Sequence, residues 1–199
     1  MDEAAIEVTI LGSGSSGGVP RGDGDWGVCD PGEPKNRRMR CSMLARRHGQ
    51  GGVTTALIDT SPDLREQMLM ARATSVDAVL YTHDHADQTH GIDDLRVFAI
   101  RRQRRIPAWM DQATHEALTR RFPYIFESKQ GYPALLDANL IPPHGQAWSV
   151  GGDGGGVRGR CSADMMGSGR GGSMAEWKDF VEPSEAGEML RGDVGEHHH

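Results

Sequence analysis

Cysteine is scarce in this chain of 199 residues: Cys29, Cys41 and Cys161 are the whole supply, odd in number and irregularly spaced. That excludes a disulfide framework and makes a reducing, cytoplasmic compartment the expectation. Long apolar runs are missing as well. No stretch approaches the ~20 residues that span a bilayer. The first residues, Met1-Asp2-Glu3-Ala4-Ala5, are acidic where a secretory leader would be basic, so no membrane partner is expected. An excess of basic charge is also absent. The formal net charge is −6, which argues against a general nucleic-acid surface, and nucleic acid is not an expected partner. The charge is uneven: 17 Lys/Arg against 19 Asp/Glu in residues 1–150, and 5 against 9 in residues 151–199.

What is present reads as alternating strands and helices. Ile6 to Leu11 is a β-branched strand followed by a Gly/Ser loop, Gly12 to Gly18, that closes on Val19-Pro20. Cys41 to Ala45 and Val53 to Asp59 flank Gly49-Gln50-Gly51-Gly52 and predict a hairpin. Thr60-Ser61-Pro62-Asp63 is a helix-start signal, for a helix reaching about Ala73. Val76 to Tyr81 predicts a strand, Asp93 to Gln103 a helix, Pro107 to Met110 a strand and Gln112 to Arg121 a helix. From Phe122 to Val150 the pattern weakens to loops and one short helix. Residues 151–199 hold 13 of the 27 glycines and show no comparable strand.

The chemistry sits directly after the strand that ends at Tyr81. Thr82-His83-Asp84-His85-Ala86-Asp87 places two imidazoles and a carboxylate at alternate positions. Imidazole is the commonest protein ligand for zinc-like ions, and carboxylate completes a mixed site. If the extended backbone continues out of the strand, His83, His85 and Asp87 converge on one point. Gly91 leaves room for a tight turn. Two arginine clusters, Arg37-Arg38-Arg40 and Arg101-Arg102-Arg104-Arg105, offer guanidinium groups suited to phosphate. The second follows the metal loop by one helix and could face a phosphoester, although a solvated helix face is the plainer reading.

This pattern resembles the metallo-β-lactamase superfamily, whose signature is His-x-His-x-Asp-His followed by a glycine. His83, His85, Asp87 and Gly91 are in register, Gln88 stands where a third histidine is expected, and His90 follows two residues later. Either His90 takes that place through a shifted loop, or the second metal is weakly held or a harder ion such as manganese. Thr9 to Pro20 and Asn36 to Ser42 are similar to the phosphoribosyl cyclic phosphate phosphodiesterases, and more distantly to tRNA 3′-processing nucleases. Asp59 matches the acidic residue that such enzymes place beneath the metal loop, where it can accept a hydrogen bond from a ligand imidazole. The alternative for Asp59 is a helix cap. Only Cys29 lies where relatives carry a structural zinc, so none is expected here.

The resemblance implies an α+β, αββα metallo-β-lactamase-like sandwich. It implies a divalent cofactor, zinc or manganese, two per complete site, held by His83, His85, Asp87 and His90. Asp87 also serves catalysis, and a small phosphoester is hydrolysed through metal-bound hydroxide. It covers residues 6–150 and then stops. The expectation is therefore the N-terminal half of the fold, residues 1–150, followed by a poorly structured, glycine-rich acidic tail, residues 151–199, arising from truncation or a shifted frame. His115, His144 and the terminal His197-His198-His199 lack the family's setting for further ligands. Behind the phosphodiesterase reading stand a tRNA-processing-type nuclease and a thioester or lactone hydrolase. A metal-binding fragment, inactive or completed by another chain, also stands behind it. That last reading leaves a homo-oligomer open, because a sheet without its partner layer is sticky.

Overall fold

The computed structural model describes residues 6–129, 131–143 and 146–160. Its centre is a mixed sheet of six strands in sequence order. The strands are β1 (Ile6–Gly12), β2 (Ser42–Gly49), β3 (Gly52–Ile58), β4 (Ala78–Leu80), β5 (Ile106–Met110) and β6 (Leu136–Leu140). The first three are antiparallel, and β3 to β6 run parallel. Parallel neighbours need crossovers. These are supplied by α1 (Leu64–Met70), then α2 (Ala86–Thr89) and α3 (Arg96–Arg102), then α4 (Gln112–Arg121) and α5 (Pro123–Phe126).

One face of the sheet is covered by these helices. Leu64, Met68, Leu95, Phe98, Leu118 and Ile125 pack on Leu44, Leu57, Val79, Ala108 and Leu136. The other face carries Ala45, Ala56, Ile58, Ala78 and Leu80, and it receives Trp148 and Val150. Those two residues come from a separate hairpin, β7 (Ala147–Val150) and β8 (Val157–Arg160). The Trp148 ring lies 5.3 Å from that of Trp109. At the far side of the same face Val8 and Ile10, which pair with Ala45 and Met43, stay exposed.

Several sequence expectations change here. The helix predicted from Thr60 begins at Leu64, because Thr60 and Ser61 are buried and bonded elsewhere. Strands β6 and β7 fall in the stretch read as loops. Leu136-Asp137-Ala138-Asn139-Leu140 has no β-branched residue, and pairing with β5 rather than propensity makes it a strand. The chain remains folded past residue 150 as far as β8, and its turn is tied to the sheet. Thr54 Oγ1 donates to Gly155 O (2.7 Å), Gly154 N donates to Thr54 Oγ1 (3.0 Å), and Arg47 donates to Gly156 O. A Cβ on Gly154 would stand 2.2 Å from Arg47 O, so this contact requires glycine. His144, Cys161 and His197-His198-His199 lie outside the described residues, as does the rest of the proposed tail beyond Arg160.

Candidate metal centre

The parallel strands deliver their loops to one end of the sheet, which is where ligands bind in open sheets of this kind. Asp59 follows β3, Thr82 and His83 follow β4, and Asp111 follows β5. Asp59 adopts a left-handed backbone (φ 59°), a conformation that Asp tolerates better than most residues. It is buried at 4% exposure, and its carboxylate accepts from Thr82 N (2.8 Å) and from Thr82 Oγ1 (2.8 Å). The expected direct bond from Asp59 to an imidazole is not made; Thr82 stands between them. Thr82 Oγ1 lies 2.8 Å from His83 Nδ1. A hydroxyl has a single proton; with Asp59 ionised it is given to that carboxylate, and Oγ1 then accepts from His83 Nδ1–H. The proton on Nδ1 leaves Nε2 with a free lone pair.

His83 and His85 stand edge to face with ring centroids 4.5 Å apart. Burial holds the His83 pKa below the ordinary histidine value, and His85 beside it adds to that effect. Both influences keep the ring neutral, the state that binds metal. Burial raises Asp59 to about 7, opposed by its two bonds from Thr82 and reinforced by the Asp87 carboxylate.

The third expected ligand behaves differently. His85 is extended (φ −65°, ψ 152°), and α2 begins at the next residue. Alternation of side chains therefore ends at His85, and Asp87 turns by a helical rather than a strand period. The predicted convergence of His83, His85 and Asp87 is not closed. Among the described residues, no three His, Cys, Asp or Glu side chains gather closely enough to hold an ion. Asp87 is engaged by Gln88, whose amide nitrogen, in the orientation its neighbours require, donates to both carboxylate oxygens (2.8 and 2.9 Å). His90 is exposed at the end of α2 and rests edge-on against Phe122, with centroids 5.7 Å apart. His115 is half-buried on α4.

The loop is pinned from below and from the side. Thr60 N donates to Gln88 O (2.7 Å), and Gly91 N donates to Thr60 O (2.9 Å). A Cβ on Gly91 would lie 2.0 Å from Ser61 O, so close approach, not a positive φ, demands glycine there. Arg121 donates to both the carbonyl and the carboxylate of Asp84. The sequence reading missed the roles of Thr82 and Arg121; for Thr82 the available signal was a hydroxyl directly before the first histidine. The second arginine cluster is not at this end. Arg102 and Arg104 bind Asp77, which precedes β4, and Arg105 binds Asp137 (3.1 Å).

The β-lactamase superfamily domain profile matches residues 54–173, more than half of the chain and all of this loop. The chain belongs to the β-lactamase superfamily. Over 124 residues it is 37% identical to an octanoyltransferase of Porphyromonas gingivalis, a match that covers 62% of this chain and 24% of that protein. It is 34% identical to a crystal structure of a new diphosphatase from the PhnP family, with a TM-score of 0.61, covering 74% of this chain and 55% of the diphosphatase. The chain thus spans about half the length of the solved superfamily member, and less of the curated relative.

Metal ions are what the resemblance to this superfamily implies, and the donors can be tested for fit. Two neutral imidazoles side by side, one with its tautomer already set, suit the nitrogen edge of a zinc or manganese site. They are two donors of the three or four that such an ion needs.

Proposed function

We propose that this chain is the metal-holding part of a hydrolase, a phosphodiesterase acting on a small cyclic or nucleotide phosphoester. The observation that carries the reading is the Asp59–Thr82–His83 relay beside His85. Such a relay frees the Nε2 lone pair, which is what a metal ligand requires. Similarity to a diphosphatase favours a phosphoester over other hydrolysable groups.

His83 and His85 would hold a divalent ion, zinc or manganese, with Asp87 and His90 as candidates for the remaining positions. When bound, the ion supplies Lewis acidity toward a phosphoryl oxygen and makes water reactive near neutral pH. The chain's own residues do the rest. Asp59 and Thr82 keep the Nδ1 proton of His83 in place. Arg121, through Asp84, holds the loop against α4. Gln88 steadies the Asp87 carboxylate by donating to both of its oxygens.

A second reading, a fragment completed by another copy, is favoured by Val8 and Ile10, exposed on the sheet face that β7 and β8 leave open. Elemental analysis of the purified protein and of His83→Ala, beside turnover of a bis-aryl phosphodiester, separates the two. Tightly bound metal and turnover, both lost in His83→Ala, support the hydrolase. Metal at one equivalent or less, no turnover and a dimer support the fragment. Equal metal content in both proteins refutes the site.

A further inference from the structure

The phosphoester reading leaves open what grips the phosphoryl group, and one arginine is linked to the metal loop through the segment that leads into α1. Arg40 precedes β2 and is clamped by Asp63, at the foot of α1. Its backbone N–H donates to Asp63 Oδ2 (2.9 Å), as does Nε (2.9 Å), and Nη2 donates to Oδ1 (2.5 Å). Because Asp63 spends its carboxylate this way, it makes no cap bond to α1, although it occupies the cap position. The carbonyl of Arg40 is fixed as well, accepting from Gln67 Nε2 (2.7 Å), while Gln67 Oε1 accepts from Ser61 Oγ (2.8 Å).

That clamp is joined to the metal loop through a short segment. Asp63 follows Thr60, which bonds to Gln88 and Gly91, and Ser61, whose carbonyl packs close against Gly91. Asp63 is the chief influence holding the Arg40 guanidinium cationic, and the Asp87 carboxylate adds a smaller one from the metal loop. Asp63 occupies Nε and one proton of Nη2. Nη1 and the second Nη2 proton have no hydrogen-bond partner among the described residues. The side chain is about one third exposed. A guanidinium oriented by a carboxylate on one edge, with its other donors open, is built for bidentate contact with phosphoryl oxygens.

We propose that Arg40, oriented by Asp63, is the residue that binds the phosphoryl oxygens of a substrate seated over His83 and His85. The inference rests on the phosphoester reading of the same site. It makes Asp63 a positioning residue, and it gives substrate binding to the first arginine cluster.

The test uses the full chain and phenylphosphonate as probe, titrated calorimetrically with and without Mn(II). Mn(II) affinity is measured separately by paramagnetic resonance. A charge-assisted bidentate contact implies that Arg40→Gln binds phenylphosphonate ~10- to 100-fold more weakly. Arg40→Lys, a point charge without the fork, should recover only part of this. Mn(II) affinity should stay unchanged in both. Should Arg40→Gln fail to fold, the wild-type protein decides: phenylphosphonate must shield Arg40 from phenylglyoxal, read by peptide mass. Unchanged phosphonate affinity in Arg40→Gln, or unshielded Arg40, overturns the proposal. Absence of Mn(II) binding strikes the hydrolase reading instead, while the metal-free titration still decides Arg40.

Discussion

Replacing Asp59 with Asn tests the relay most directly, because Asn also tolerates the left-handed backbone at this position. The folded Asp59 carboxyl titrates at about 7 against a normal 3.8. Between those values the folded state holds a proton that the unfolded chain has released. Stability therefore falls as pH rises across that window. Going from pH 5 to pH 8 spans about two units of the range in which only the folded carboxyl is protonated, worth ~3 kcal/mol at ~1.36 kcal/mol per unit. An amide cannot ionise, so Asp59→Asn should lack this loss. Urea denaturation of both proteins at pH 5 and pH 8, in chelator, measures the difference. The variant should gain on the wild type by up to ~3 kcal/mol at the higher pH. Metal binding should move the other way. An amide accepts from Thr82 N–H but donates to Thr82 Oγ1, so the hydroxyl proton turns toward His83 Nδ1 and the ring proton moves to Nε2. The donor nitrogen is then blocked, and metal affinity should drop ~10- to 100-fold, as for other lost ligand-orienting partners. Parallel pH profiles would show that Asp59 does not titrate as argued. Unchanged metal affinity would show that Thr82 does not set the tautomer.

Two further substitutions probe the frame around the site. Gly91→Ala puts a methyl 2.0 Å from Ser61 O; the loop must lift, with ~1–3 kcal/mol lost in urea unfolding and weaker metal binding by titration. A variant as stable as wild type would show that the two segments separate freely. Asp77→Ala strands Arg102, Arg104 and the Thr55 N–H at the opposite end of β4, and should cost ~2–4 kcal/mol while leaving metal content unaltered. Loss of metal in that variant would contradict the separation of the second arginine cluster from the site.

Local pattern made much of this protein legible. The hairpin around Gly49-Gln50-Gly51-Gly52, the strand into Tyr81 and the helix over Gln112–Arg121 follow from turn residues and periodicity that short stretches of chain contain. The histidine pair was legible too, since two imidazoles two residues apart on extended backbone must share a side. What sequence could not supply was anything depending on a partner distant along the chain. β6 exists because β5 offers it hydrogen bonds. Asp87 falls in a helix, because α2 starts one residue after His85, where Gln88 and Thr89 bond back to its carbonyl. The two arginine clusters look alike as strings of residues. Asp77 and the histidines stand at opposite ends of β4, and only the packing around that strand gave one cluster a buried carboxylate and brought Arg40 to Asp63. Periodicity is a property of neighbours along the chain; which charges meet is settled when the sheet forms.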